Sequence, residues 1–212
     1  NKWFAGFVFS PDYAYRSLYG TDLLGEEIVA IRNNQESPKF GITTGFSILY
    51  QVSTNFELES GLFFSDKGFR YASDDFYAFE SDDPFIPKKA TVIYRYRYLD
   101  VPLKVNWFFL NKKTRLFLSA GLTSHLFLEA SFKNIHEFDG RTEKETFTDD
   151  NTIYSKVNLG FSGGIGMEYS ISKRFYFRIQ PEFRRILTSM AQTPIKMYCW
   201  SVGVNTGICF GL

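Results

Sequence analysis

The sequence has no apolar run approaching the roughly 20 residues that a membrane-spanning helix needs, although 44% of its 212 residues are hydrophobic. A helical span within these residues is thereby excluded. An excess of charge of either sign is also missing. The 24 Lys and Arg meet 23 Asp and Glu, for a formal net charge of +1, so nucleic acid has no electrostatic claim as a partner. Cysteine is scarce. Cys199 and Cys209 lie in what reads as one strand, about 33 Å apart at roughly 3.3 Å per residue. A disulfide needs Cα atoms within about 7 Å, so the two are expected to stay unpaired in the wall. The chain opens Asn1-Lys2-Trp3, with no initiator Met and no charged-then-apolar leader. It is expected to be a mature chain or a fragment.

Aromatic residues are what the sequence has in abundance: 24 Phe, 13 Tyr and 3 Trp, or 19% of the chain. They are dispersed among polar residues, and the mean hydropathy is −0.18. Both a soluble β-sandwich and a transmembrane β-barrel fit that composition. The fine pattern separates them. In 198–210, Tyr198, Trp200, Val202, Val204, Thr206, Ile208 and Phe210 share one face, and Cys199, Ser201, Gly203, Asn205, Gly207 and Cys209 share the other, as strand geometry dictates. The same period of two recurs in 174–184, 157–169, 116–132, 98–107, 57–65, 40–51 and 3–13, giving eight segments. Several exceed the five or six residues of ordinary strands and reach the nine to eleven of a tilted transmembrane strand.

Charge tells the faces apart. Glu57, Glu59, Asp100, Lys104, Glu129, Glu168, Arg178, Glu182 and Arg184 fall on the polar faces, which are otherwise rich in Gly and Ser. Small residues suit the crowded interior of a narrow barrel. The apolar faces end in aromatics. Trp3, Phe56, Trp107, Phe175 and Phe210 stand near the short connections, and Tyr13, Phe40, Phe132, Tyr198 and Trp200 near the long ones, like the girdles at the two membrane interfaces. A lipocalin-like soluble barrel would instead want an apolar interior. Connections alternate between short (52–55, 110–114, 170–173) and long (16–37, 72–89, 133–151 and, less so, 188–194). Three short turns and four long loops fit a barrel with short periplasmic turns and longer extracellular loops. The expected fold is all-β: one domain, 1–212, forming an eight-stranded antiparallel up-and-down transmembrane β-barrel, integral to a bacterial outer membrane. Pro102 and Pro181 lie inside strand patterns and predict bulges or local irregularities, because proline cannot donate to the ladder.

Two stretches carry a resemblance. Tyr98-Leu99-Asp100-Val101-Pro102-Leu103-Lys104 is similar to a Tyr-Leu-Glu-Ile-Pro-Leu signature. Phe56-Glu57-Leu58-Glu59-Ser60-Gly61-Leu62-Phe63-Phe64-Ser65-Asp66-Lys67-Gly68 resembles the segment with a Ser-Gly-Leu core and Lys-Gly end that accompanies it. Both belong to the small Bacteroidota outer-membrane β-barrel proteins, a group that includes PorT-like proteins. Residues 115–121 resemble the strand that follows. The resemblance implies the fold and a place in the cell envelope. It implies no activity, since the group spans proteins implicated in secretion, others fused to anti-sigma-like segments, and many of no known role.

Candidate chemistry is sparse. Asp100, Lys104, Glu129, Glu168, Arg178, Glu182 and Arg184 are expected to form a structural salt-bridge network, because an eight-stranded barrel is filled by its own side chains and buried charges must be paired. A lipid A-modifying hydrolase or acyltransferase would need Ser, His and an acid together. Ser124 and His125 are adjacent in sequence and so point to opposite faces; they cannot act as a nucleophile–base pair. Asp74, Asp75, Asp82 and Asp83 offer oxygens for Ca²⁺, but their spacing matches no EF-hand. Neither a metal nor a cofactor is expected. Phe76, Tyr77, Phe79 and Phe85 in the same loop suit a protein contact. Arg95 and Arg97 suit either lipopolysaccharide phosphates or snorkelling at the rim. The chain is thus expected to be a non-catalytic anchor or subunit of an envelope complex, in contact with outer-membrane lipid and lipopolysaccharide and with other envelope proteins. A lipid A-modifying enzyme and a small-solute channel stand as the alternatives.

Overall fold

The computed structural model describes residues 2–20, 26, 29, 30, 32, 35–73, 87–138, 140–172, 174–193 and 195–212. Among the described residues nine strands are formed: β1 Trp3–Tyr19, β2 Glu36–Gln51, β3 Phe56–Ser73, β4 Lys89–Asn111, β5 Thr114–Phe138, β6 Arg141–Thr148, β7 Val157–Ser170, β8 Phe175–Ile186 and β9 Lys196–Gly211. All pairings are antiparallel. Eight strands close in the order β1-β2-β3-β4-β5-β7-β8-β9, with β9 returning to β1. The sixth strand stands outside the ring, paired to the far half of β5.

Alternation gives the ring its two surfaces. Along β9 every odd residue from 197 to 209 is buried, while Val202, Val204, Ile208 and Phe210 are exposed. On β4, Tyr96, Tyr98, Asp100, Lys104 and Asn106 point inward and Leu99, Val101, Leu103, Val105 and Trp107 outward. Leu99 to Phe109 runs about 33 Å along the strand. At the tilt of such barrels this is about 25 Å of height, the thickness of a membrane barrel's apolar band. Along β4 no Lys or Arg faces outward within that band, since Lys104 points into the lumen.

Two expectations about the strands need correction. Segment 133–151 is not a loop. Most of it is β-structure, because β5 continues to Phe138 and β6 folds back on it, pairing Ser131 with Thr148 through Phe138 with Arg141. Its polar, Thr- and charge-rich residues fit a strand wet on both faces, where no apolar period betrays it. Likewise 16–19 and 36–37 belong to β1 and β2, not to a loop. The prolines, in turn, cause no register shift. Pairing lapses opposite Pro102 between Ser60/Leu103 and Phe63/Asp100, and resumes in the same register. The Ser60 hydroxyl donates to the Pro102 carbonyl at 2.8 Å. Pro181 keeps its register with both neighbours. True shifts fall elsewhere: at 38–42 in β2, between Arg97 and Tyr98, and between Phe108 and Leu110.

The loop-end mouth of the ring is covered. Asp150 caps a short 3-10 helix, Asn151–Ile153. Thr152 donates to its carboxylate from the backbone (2.9 Å) and from the hydroxyl (2.7 Å), and these bonds hold the Asp150 carboxyl below its ordinary range. The chain then drops Tyr154 inward. A bridge joins Tyr154 to Ala191, and Ser155 N–H donates to the Met190 carbonyl at 2.8 Å. Tyr154 stacks on Phe127 (5.1 Å) and meets Tyr96 edge-on (5.5 Å). With Leu18, Phe69, Tyr98, Ile186, Met190 and Met197 these form an apolar plug. Phe4, Leu49 and Cys209 form a smaller one at the turn end. Cys199 and Cys209 both face inward, buried and unpaired.

Because β6 is exposed at every position and pairs only with β5, replacing residues 135–144 by Asn-Gly, a two-residue turn, should leave the barrel intact. The variant should keep its heat-dependent gel shift, with its unfolding free energy within about 0.5 kcal/mol of the parent. Loss of the gel shift would mean the hairpin belongs to the fold proper.

Candidate functional site

Between the two plugs, β1, β2, β3, β4, β5, β7 and β8 aim charged side chains into the lumen, and β9 adds Asn205. The arrangement has three tiers. Nearest the turns, Arg178 on β8 is ringed by three carboxylates: Glu59 at 2.7 Å, Glu57 at 2.6 Å and Glu168, to which its Nε donates at 2.9 Å. Arg115 holds the second oxygen of Glu168 at 3.0 Å and lies 4.2 Å from the Phe108 ring. Asn106 donates to Glu57 (3.0 Å) and Glu59 (2.9 Å). At mid-barrel, Lys104 and Glu182 meet at 2.8 Å, and Arg184 joins Asp12 (2.8 Å) to Glu182 (3.3 Å). Asp12 also accepts from Ser10 at 2.7 Å and from Thr43. Towards the loops, Asp100 lies between Lys67 (2.9 Å) and His125 Nδ1 (2.6 Å). Lys39 pairs with Asp66 at 2.6 Å, and Arg16 pairs with Glu36 while its guanidinium covers the Phe69 ring at 3.6 Å.

This density follows from the strand count. Eight strands leave a lumen that side chains can just fill. Burying an ion costs several kcal/mol unless it is paired and hydrogen-bonded, so each inward charge needs a partner across the barrel. Among the described residues the groups nearly balance: seven buried carboxylates face six buried Lys and Arg, with Arg115 and Asp66 at the margins. A mid-barrel cavity of about 30 Å³ remains, touched by Thr43, Glu59, Asp100, Lys104, His125 and Glu182 among others. That is room for a water or two and no more.

Asp100, Lys104, Glu168, Arg178, Glu182 and Arg184 therefore all lie in the lumen. Glu129 does not. It faces outward, 40% exposed, and pairs with Arg97 at 2.6 Å. The reason is the bulge in β5: Tyr98 pairs with Phe127 but Arg97 pairs with Glu129, so Leu128 is an extra residue and the faces exchange beyond it. Arg95 also points outward, its side chain 45% exposed, with Asp66 at 3.7 Å. Phe76, Tyr77, Phe79 and Phe85, like Asp74, Asp75, Asp82 and Asp83, lie outside the described residues. Ser124 and His125 are on opposite faces, Ser124 half-buried on the wall and His125 buried in the lumen. Among the described residues no cluster of His, Cys, Asp and Glu is arranged to hold a metal.

Sequence reasoning passed over Asp12, Arg16, Glu36, Lys39, Lys67 and Arg115, and left Glu57 and Glu59 outside the network. A signal was present for some. Lys67 shares the parity of Glu57 and Glu59 along β3, and Arg16 that of Asp12 along β1. The plug residues Tyr154, Met190 and Ala191 had no periodic signal at all.

Comparison with known families settles the class. The profile described as "Outer membrane protein beta-barrel domain" matches residues 8–186. The chain belongs to this family. It is an integral protein of the outer membrane, with its short turns towards the periplasm and its long loops outside. No curated protein matches the sequence. Among solved structures, it is similar to Neisserial surface protein A (9% identity, TM-score 0.49, covering 100% of this chain and 98% of that one). It is also similar to the outer membrane protein OprG of Pseudomonas aeruginosa (10%, 0.49, 100% and 97%) and to the outer membrane protease OmpT of Escherichia coli (7%, 0.47, 99% and 96%).

The tiers of this outer-membrane barrel differ in what they withstand. Arg178→Met takes the shared cation from three buried carboxylates, leaving Glu57 with no cation partner among the described residues, and should destabilise by about 3–5 kcal/mol, as breaking buried ion networks does. Glu129→Gln removes only an exposed pair and should change stability by no more than about 1 kcal/mol. Urea unfolding in detergent micelles compares them. Equal losses would contradict the assignment of Glu129 to the outer face.

Proposed function

We propose that this barrel is a non-catalytic anchor or subunit of an envelope protein complex. The observation that carries this reading is the sheet that projects on the loop side. There β4 and β5 run to 23 and 25 residues, more than twice the nine to eleven that cross a membrane. With β6, and with the end of β3, which pairs with β4 as far as Ser73 and Ala90, they raise a sheet above the rim, its last strand exposed along its whole length. A barrel needs no such extension to stay in the membrane, whereas a protein partner on the outer side would find there a rigid surface. The lumen supports the same reading, since its charges are occupied with one another. The resemblance to the small Bacteroidota barrels, some implicated in secretion, is consistent with it. Arg95, outward and half exposed at the loop-end rim, is assigned to lipopolysaccharide phosphate or to the headgroup layer.

Crosslinking in intact cells, followed by mild detergent extraction, should trap the chain with other envelope proteins through sites on 133–148. A chain that remains monomeric under these conditions would sink the proposal. Two other readings have their own measurements. A channel would appear as steps of conductance in planar bilayers, and none are expected. A lipid A-modifying enzyme would change lipid A composition between membranes with and without the protein, in a manner abolished by His125→Ala.

A further inference from the structure

The periplasmic turns, 51–55, 110–114 and 170–174, carry cations and no Asp or Glu. Lys2, Lys112, Lys113 and Arg174 are all exposed. They lie on one continuous arc, tied by backbone hydrogen bonds. Ser170 N–H donates to the Lys113 carbonyl (3.1 Å), Gly211 N–H to the Arg174 carbonyl (2.8 Å), and Leu212 N–H to the Trp3 carbonyl (3.0 Å) next to Lys2. The arc thus runs from the β4–β5 turn through the β7–β8 turn to the start of β1, and the remaining turn, 52–55, is uncharged. The nearest carboxylates, Glu57 and Glu168, point into the lumen and are held by Arg178.

Depth identifies the occupant. Lys2 adjoins Trp3 and Arg174 adjoins Phe175, both about half exposed on the apolar wall, and Lys113 lies 5.3 Å from the Tyr169 ring. One residue beyond an interfacial aromatic adds about 3 Å, within the headgroup layer that adds roughly 5–7 Å to each side of the hydrocarbon. Turns this short cannot carry the charges further into the periplasm. Cations packed at this depth beside apolar wall attract anionic headgroups. We propose that the arc from Lys112 to Lys2 is a binding site for anionic phospholipid of the periplasmic leaflet, with the phosphates on the cations and the acyl chains on the aromatic wall. This inference rests on the membrane placement alone and is independent of the protein's role in any complex.

The test is competition for the purified barrel. The detergent-solubilised protein is offered equal amounts of phosphatidylglycerol and phosphatidylcholine of the same acyl composition, and retained lipid is counted by native mass spectrometry. Phosphatidylglycerol should be retained several-fold in preference. The preference should fall to parity when Lys2, Lys112, Lys113 and Arg174 are all changed to Gln, and persist in Arg95→Gln/Arg97→Gln, which alters the opposite rim. Raising salt from about 0.05 to about 0.5 M should erode it. Each variant is checked for its heat-dependent gel shift; if the fourfold variant does not fold, Lys112→Gln/Lys113→Gln replaces it, with a partial loss expected. Equal retention of the two lipids by the native barrel, or a preference that the turn substitutions leave unchanged, would overturn the proposal.

Discussion

A sheet that crosses hydrocarbon must leave no backbone N–H or C=O without a partner, and a sheet has two edges that violate this unless they meet. Closure is therefore the constraint from which the rest of this protein follows. The meeting of β9 with β1 and the long seam between β4 and β5 complete the ring. Once eight strands close, the lumen is fixed at a width that only side chains fit. The outside must be apolar, so polar residues have a single place to go. Charges crowded into that space must neutralise one another, and the three tiers around Arg178, Glu182 and Asp100 are the result.

The same constraint explains the departures from regularity. Prolines remove a donor from the ladder, yet the ring tolerates Pro102 and Pro181 without slipping, because the strands on either side hold the register along their remaining length. Local repairs come from side chains, as where Ser60 reaches the Pro102 carbonyl and Thr206 the Phe9 carbonyl at 2.9 Å. Register shifts occur instead near strand ends, at 38–42 and at Phe108–Leu110, and mid-strand at Leu128. Above the loop-end rim, closure no longer applies. There the ends of β3, β4 and β5 continue with β6 as an open sheet, and its edge strand β6 is dense in charge, as exposed edges commonly are.

The barrel was legible in the sequence because a membrane imposes period two with unusual strictness. Both solvents of the strand, lipid and lumen, punish an error, so Tyr198 to Phe210 could be read residue by residue. Legibility ended where that pressure ended. The β5–β6 hairpin is wet on both faces and carries no alternation. Arg16 and Glu36 sit where strands run past the expected boundary, so their burial as a pair had no local sign. Glu129 was misplaced by a single inserted residue, which no propensity marks. The plug of Tyr154, Met190 and Ala191 depends on two loops converging, which is a tertiary fact. As for activity, the residues that look chemical in the sequence are those that the narrow lumen requires.

The bulge at Leu128 shows where this strand passes from one regime to another. Below it, an insertion or deletion of one residue would exchange the faces of β5 and place His125 in lipid and Leu126 against Asp100. Above it, once past Ala130 and Ser131, which are still buried, the strand rises clear of the plug, and an exchange there alters only which side of the projection bears each side chain. The arm beyond the rim can thus lengthen, shorten or shift by single residues over generations while the barrel beneath cannot, so the outward surface is free to change with whatever it meets, without any change in how the protein is held in its membrane.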